Sequence, residues 1–217
     1  MAGHFEATPG GGAAVALDEV EISILRSLAV QLLELIGPGD QPADGEDPLA
    51  ALFAEGPSKP PTDPALARLF PDAYGGPGGS GGSGGPGGSE GAVGAGKPEE
   101  EQELRERSAE FRRFTEMDLR TGKRDDALAV VRTLDALSPA QDGGAVLTLT
   151  GDECLSWLRS LNDLRLTIGT RLEVSDDDQG EEGSLYRLPD SDPRKPMVMA
   201  YLWLGALQES LVETLMP

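Results

Sequence analysis

The fold class predicted by the sequence is mainly α: a single-domain bundle of about five helices over residues 1–217, with a small accessory β element and a disordered Gly-rich insertion. Three observations carry this prediction. Apolar residues recur at helical spacing in several long segments, two of which begin with a capping box. Two short runs alternate apolar and polar residues, which is typical of strands. One internal stretch is mostly glycine and has almost nothing to bury.

The first predicted helix begins after Asp18 and ends at Gly37. Asp18 and Glu21 have the spacing of a capping box, in which two side chains satisfy each other's backbone N–H groups. The face that follows is wider than a surface stripe, which predicts a central position for this helix in the bundle. Its apolar residues include Val20, Ile24, Leu25, Leu28, Leu32, Leu35 and Ile36.

A loop and a short helix follow. Residues 37–63 are rich in proline, glycine and aspartate, and they predict a loop that contains a short helix at 48–53. A second short helix is predicted at 64–70, because Asp63 is a favourable N-cap and proline is tolerated in a first helical turn.

Residues 75–98 predict a flexible Gly/Ser/Pro-rich linker inside the domain. Between Gly75 and Gly96, 13 of 22 residues are glycine, and such a composition loses too much backbone entropy to fold. A dinucleotide-like glycine pattern within this stretch follows no strand and opens no helix, so it predicts no cofactor site.

Residues 99–137 predict a second helical block, divided into two helices at Gly122. We expect Phe111 and Phe114 to lie in the core, with ion pairs such as Glu116–Arg120 on the outer face. Acidic residues in the first turn favour this block through the helix dipole.

A further pair of helices completes the bundle. Thr150 and Glu153 form a second capping box, which predicts a helix to about Leu172. The last helix is predicted at about 193–216. Residues 145–150 predict a strand, and the similar pattern after Gly12 predicts another; the two could pair with each other or with residues 4–7.

The charge and the rarity of cysteine and histidine exclude several classes of protein. With 18 basic and 38 acidic residues the formal charge is −20, which argues against direct DNA binding because duplex binding needs a basic surface. One cysteine and one histidine, Cys154 and His4, exclude a disulfide framework and zinc sites of the paired-cysteine type. No catalytic set, metal site or cofactor loop can be composed, so we expect a non-enzymatic protein. No targeting signal and no apolar run long enough for a membrane span is present, which predicts a cytoplasmic protein without membrane contact.

Basic and aromatic residues interleave between Glu110 and Arg120. The cationic candidates for a partner or nucleic-acid surface are Arg112, Arg113 and Arg120. The alternative is an amphipathic helix with its aromatic residues in the core, and the weak local excess of positive charge favours that alternative.

Two other sites lie in the helix that is predicted from Thr150 to about Leu172, and both leave alternatives open. Asn162, Asp163 and Arg165 do not suit a plain apolar face, and they could form a buried polar network or a surface for a partner. Cys154 lies in the first turn of a capped helix, where a thiolate is favoured, so it is a candidate redox thiol. It also shares a face with leucines, and an inert buried thiol is the favoured interpretation.

Four motifs resemble an actinobacterial family, the domain of unknown function number twenty-seventeen. They are Leu17–Glu21 with the leucine helix that follows, Arg68–Tyr74, Glu110–Arg120 and Trp157–Leu172. Members of that family are labelled oxidative-stress transcriptional regulators. The resemblance implies a regulatory protein that acts through protein–protein contact, with a sigma factor or RNA polymerase as partner.

The resemblance also implies an alternative function, and this chain departs from the family pattern in one respect. Family members tend to be encoded beside the adaptor of the Clp protease, so the alternative is an accessory factor of Clp-type proteolysis. A regulator that switches through an internal disulfide needs two cysteines, whereas this chain has only Cys154.

Overall fold

Five helices and three strands make up the part of the chain that the structure describes. The computed structural model describes residues 3–38, 56–74, 98–138, 144–174 and 188–216. In chain order the elements are β1 (Glu6–Ala7), β2 (Ala13–Leu17), α1 (Glu19–Ile36), α2 (Pro64–Leu69), α3 (Pro98–Asp135), β3 (Ala145–Leu149), α4 (Gly151–Arg171) and α5 (Lys195–Leu215). The prediction of a mainly α fold with a small β element is confirmed.

Both predicted capping boxes are present. The Asp18 carboxylate accepts the Glu21 N–H at 2.8 Å, and the Glu21 carboxylate accepts the Asp18 N–H at 2.9 Å. Thr150 and Glu153 make the equivalent pair at 3.4 and 2.8 Å. These reciprocal bonds satisfy N–H groups that a helix start leaves without partners, and they fix where α1 and α4 begin.

The short helix predicted at 64–70 is also confirmed. The Asp63 carboxylate accepts hydrogen bonds from the N–H groups of Ala65 and Leu66 at 2.8 and 3.0 Å. The predicted helix at 48–53 and the predicted insertion at 75–98, up to Lys97, lie outside the described residues.

The three strands form one antiparallel sheet in the order β1-β2-β3. Ala13 pairs with Leu149 and Val15 with Leu147, and β1 pairs with the start of β2. The pairing expected from the two similar strand patterns is therefore present. Alternate residues of β2 and β3 are buried, so one face of the sheet packs against the helices, as the period of two requires.

Helix α3 runs without interruption through Gly122, so the predicted division into two helices is wrong. Its 38 residues correspond to about 57 Å of helix. A glycine inside a helix costs about 1 kcal/mol relative to alanine. Contacts on both sides of Gly122 outweigh that cost: Arg120 and Arg124 bind the end of α1, and Ala127 is fully buried.

Helix α4, rather than α1, is the centre of the bundle. It contacts α1, α2, α3 and α5, whereas α1 packs mainly on α3. A wide apolar face on α1 predicted a central place for that helix, but Val20 and Ile24 are exposed and only one stripe is buried. The side chain of Trp157 on α4 is fully buried at the middle of the core.

Residues distant in sequence close the core. The Phe5 N–H donates to Oγ of Ser210 on α5 at 3.1 Å, and the Phe5 ring meets the Trp157 ring edge-on with centroids 6.1 Å apart. Among the described residues, no helix combines the length and the apolar character that crossing a bilayer would need.

Candidate functional site

A buried ion cluster lies on the inner face of α3. Arg112 exposes 4% of its side chain and Glu116 exposes 2%. The Arg112 guanidinium donates to the Glu116 carboxylate, to the Phe70 carbonyl at 3.0 Å and to the Asp72 carboxylate at 2.8 Å. Burial by itself would lower the pKa of Arg112, but the two carboxylates outweigh it, so the pKa is raised and the group stays charged. Arg112 therefore ties the segment after α2 to α3.

The same cluster holds the end of α1. Arg120 donates to Glu116 at 2.8 and 2.9 Å and to the Ile36 carbonyl at 2.7 Å. Arg124 donates to the Leu33 carbonyl at 3.3 Å. Helix α1 has no basic residue in its last turn, so these arginines supply the donors that its final carbonyls require. We call Arg112, Glu116, Arg120 and Arg124 the arginine clamp.

The arginine clamp displaces two aromatic residues from the core. Phe111 is 46% exposed and Phe114 is 67% exposed, so the expectation that both lie in the core is wrong. The predicted Glu116–Arg120 ion pair exists but is internal rather than on the outer face. The reason is geometric: residues 112, 116 and 120 share one helix face, and positions 111 and 114 lie away from it.

The displaced rings belong to a cluster on the outside of α3. The rings of Phe111 and Tyr74 meet edge-on with centroids 6.3 Å apart. The guanidinium of Arg107 lies 5.1 Å from the Tyr74 ring centroid, and that of Arg113 lies 5.8 Å from the Phe114 centroid. We call these five residues, Tyr74, Arg107, Phe111, Arg113 and Phe114, the aromatic surface.

The polar residues of α4 divide between the interior and the surface. Asp163 is buried and its carboxylate accepts a hydrogen bond from Nζ of Lys123 at 2.7 Å. Burial raises the pKa of Asp163, and the Lys123 ammonium opposes that rise only in part. Arg165 donates to the Gln208 side chain on α5 at 2.7 Å, whereas Asn162 is exposed. Asp163 and Arg165 thus make polar contacts between helices, and Asn162 faces outward.

Asn162 lies at a cleft between α3, α4 and α5. The cleft has a volume of about 580 Å³, within the usual range for ligand sites. Its apolar wall is formed by Leu119, Leu158 and Val212, and α3 also contributes Asp118, Gly122 and Asp126. We call this feature the three-helix cleft.

The single cysteine lies under the sheet. Cys154 has no exposed surface. Burial raises the pKa of its thiol, and a backbone hydrogen bond from Ala13 opposes this rise. A raised pKa keeps the sulfur protonated, which disfavours attack on an oxidant.

Metal ligands do not converge within the described ranges. No group of three or more histidine, cysteine, aspartate or glutamate side chains there is close enough to hold a metal ion. Two of the acidic residues of the three-helix cleft are instead matched with cations: Lys123 faces Asp163, and Arg159 lies 3.5 Å from Asp126.

Comparison with known proteins shows to which family the chain belongs. The family model described as Domain of unknown function (DUF2017) matches residues 2–215. The chain belongs to this family. The DUF2017 chain is 29% identical over 198 residues to the oxidative stress regulator AosR of Mycobacterium tuberculosis, covering 90% of this chain and 78% of that protein. It is 30% identical over 206 residues to the putative oxidative stress regulator AosR of Mycobacterium leprae, covering 90% and 79%. No solved structure matches it.

The arginine clamp of this DUF2017 chain was not predicted from the sequence, although the sequence carries a signal for it. Arg112, Glu116, Arg120 and Arg124 recur every four residues with alternating sign at the first three positions. That spacing places all four on one side of a helix. Together with an α1 that ends without a basic residue, it could have indicated that α3 serves the end of α1.

Replacing Asp163 by asparagine is expected to raise the free energy of unfolding at neutral pH. The folded-state pKa of Asp163 is raised above its ordinary value of 3.8, so its ionised form is destabilised by burial. The stability linked to its protonation is fully present below pH 3.8 and is lost as pH rises through the folded-state pKa. The gain in Asp163→Asn should therefore shrink on acidification.

Urea unfolding of both proteins at a series of pH values measures this difference. The difference in the free energy of unfolding between the two proteins at each pH reports on residue 163, because the rest of the sequence is identical. A gain that does not change between neutral and acidic pH, or a loss at neutral pH, would contradict the prediction.

Cys154 is expected to react with a thiol reagent only when the native state opens. We expect labelling by an aromatic disulfide to be slower than in denaturant by about 10³-fold or more. The chain has a single cysteine, so one absorbance trace reports one site. Rapid labelling of native protein would establish an accessible thiol and revive the redox-thiol interpretation.

Proposed function

We propose that the protein is a non-enzymatic, oxidative-stress-linked transcriptional regulator that acts by contacting another protein, with a sigma factor or RNA polymerase as the partner. This role places it in the cytoplasm. The names of its mycobacterial relatives support the link to oxidative stress. The choice of protein contact as the mechanism is supported by one observation, the exposure of Phe111 and Phe114 on α3.

The aromatic surface has the composition of a protein interface. Aromatic residues and arginine are enriched in such interfaces and dominate their binding energy. Phe111 and Phe114 lie one helical turn apart on α3. Both rings are exposed to solvent, although another face of the same helix is buried. The Tyr74 backbone is held by Ser108, whose hydroxyl donates to the Tyr74 carbonyl at 2.7 Å and accepts its N–H at 2.8 Å. The surface is thus arranged before a partner arrives.

A protein is favoured over DNA as the partner because the cations of α3 are largely internal. Arg112 is buried, and Arg120 is bound to Glu116 and to the end of α1. Neither guanidinium is available to neutralise phosphates. Arg107 and Arg113 belong to the aromatic surface, where each guanidinium lies over an aromatic ring, in a chain with a formal charge of −20.

Binding measurements with purified partners test the proposal. RNA polymerase, individual sigma factors and Clp subunits from the same organism are immobilised, and binding of the wild type is compared with Phe111→Ser/Phe114→Ser. We expect binding to polymerase or to one sigma factor, weakened about tenfold or more in the double variant because interface aromatic residues act as hot spots.

Val146→Ser is the matched control, because Val146 is 64% exposed on β3 and lies outside the aromatic surface. It should bind like the wild type. Failure of the wild type to bind any transcription protein would overturn the proposal, and so would full binding by the double variant. Selective binding to Clp subunits would favour the role in proteolysis instead.

A further inference from the structure

The three-helix cleft is lined by residues of α3, α4 and α5. Each wall is a helix, and the residues that line it from α3 include Asp118, Gly122 and Asp126 at successive intervals of four. This spacing makes one continuous stripe along the helix. Leu119, which is 49% exposed, stands beside that stripe.

Gly122 leaves room in the cleft where a side chain would stand. A Cβ atom added at this position meets nothing within 4 Å. Glycine within a helix interior is unfavourable, and no close contact within the described chain requires it here. An open glycine allows a second backbone to approach α3 closely, as in helix–helix contacts at small residues.

Acidic side chains outnumber basic side chains around the three-helix cleft. Asp118, Asp126 and Asp163 are opposed by Lys123 and Arg159, which pair with Asp163 and Asp126 respectively. Asp118 forms no ion pair with any residue in the described ranges. Among the described residues, the cleft therefore keeps one unpaired carboxylate, that of Asp118, beside an apolar wall, in a chain that is already strongly acidic. A partner segment that carries a cation beside an apolar stripe would complement both the carboxylate and the apolar wall.

We propose that the three-helix cleft receives an amphipathic helix of a protein partner, whose apolar stripe is flanked by lysine or arginine. The stripe packs against Leu119, Leu158 and Val212, and a basic residue faces Asp118. This is the helix-in-groove mode of recognition, in which anchors follow each other every three or four residues. The inference rests on the proposed function, since it specifies what kind of protein segment is bound, and it uses a site separate from the aromatic surface.

Synthetic peptides test the inference on the full chain. The probe is a fluorescent amphipathic peptide of leucine and lysine, five helical turns long, and its controls are a scrambled peptide of the same composition and a leucine–glutamate peptide. Affinity is measured by fluorescence anisotropy at physiological salt. We expect the amphipathic basic peptide to bind at least about tenfold more tightly than either control, a difference of about 1.4 kcal/mol.

Gly122→Trp fills the cleft, and Gly122→Ala is its matched control because the alanine Cβ has free space. We expect Gly122→Trp to weaken the basic peptide about tenfold or more, Asp118→Lys to weaken it as well, and Gly122→Ala to retain it. Far-UV circular dichroism and thermal unfolding establish that each variant is folded, and Asp118→Lys changes only an exposed side chain.

Absence of binding, equal binding of the scrambled peptide, or unchanged affinity in both Gly122→Trp and Asp118→Lys would overturn the inference. Phe111→Ser/Phe114→Ser is expected to bind the basic peptide like the wild type. The two proposals can therefore fail separately. Loss of peptide binding in Gly122→Trp would support the cleft as a binding site even if no transcription protein binds the aromatic surface. Conversely, a transcription protein can bind the aromatic surface even if no peptide enters the cleft.

Discussion

Replacing Arg112 by alanine is expected to lower the free energy of unfolding by about 3–5 kcal/mol, the usual cost of removing one partner from a buried ion pair. The variant leaves Glu116 almost fully buried with one cation fewer, and it deprives the Phe70 carbonyl and Asp72 of a donor. Typical domains are stable by only about 5–15 kcal/mol, so a large part of the stability would be lost.

Urea denaturation followed by far-UV circular dichroism measures this effect. Arg105→Ala is the matched control: it removes an exposed arginine paired with Glu101 on the same helix, and such pairs contribute about 0.5 kcal/mol or less. Arg112→Lys should not restore stability, because one ammonium cannot replace a fork that serves three acceptors. Equal stabilities of Arg112→Ala and Arg105→Ala would show that the arginine clamp is not a stabilising element.

Replacing Trp157 by alanine is expected to lower the free energy of unfolding by a similar amount, about 3–5 kcal/mol. The indole has no exposed surface, meets the Phe5 ring edge-on and donates from Nε1 to Oγ1 of Thr133 on α3 at 3.0 Å. Alanine would leave a cavity where β1, α3 and α4 meet, and close packing around it limits collapse.

Substitution by phenylalanine separates the packing of the indole from its hydrogen bond. Trp157→Phe keeps a ring but removes the donor to Oγ1 of Thr133, whose hydroxyl still donates to the Ala129 and Val130 carbonyls. The lost bond is therefore expected to lower the free energy of unfolding by about 1 kcal/mol. Trp203 offers the contrast: its Nε1 is buried without a partner among the described residues. Trp203→Phe should therefore be close to neutral, and chemical unfolding of both variants would measure the difference.

The elements that could be predicted are those fixed by residues close in sequence. The capping boxes at Asp18 and Thr150 place the starts of α1 and α4, because a reciprocal cap involves only four consecutive residues. The pairing of β2 with β3 was predicted as one of two options from alternation alone, since a period of two is visible without any tertiary context.

The orientation of α3 could not be predicted because it depends on groups far away in the chain. Composition favours Phe111 and Phe114 as core residues over Arg112 and Glu116. The carbonyls of Ile36, at the end of α1, and of Phe70, after α2, require hydrogen-bond donors. Arg120 and Arg112 supply these donors from 84 and 42 residues away, and this requirement reverses the choice. For the same reason Gly122 does not end a helix: contacts of Arg120 and Arg124 with another helix continue α3 across it.

The hydrogen bond between Phe5 and Ser210 has a consequence during synthesis. The two residues are separated by 205 positions, which corresponds to roughly 10–40 s of translation at typical bacterial and eukaryotic rates. Throughout that interval the Phe5 amide has no acceptor from α5, and β2 lacks β3 for most of it. The nascent chain thus presents the apolar edge of Ala13–Leu17 to the ribosome surface and to chaperones long before the sheet can form.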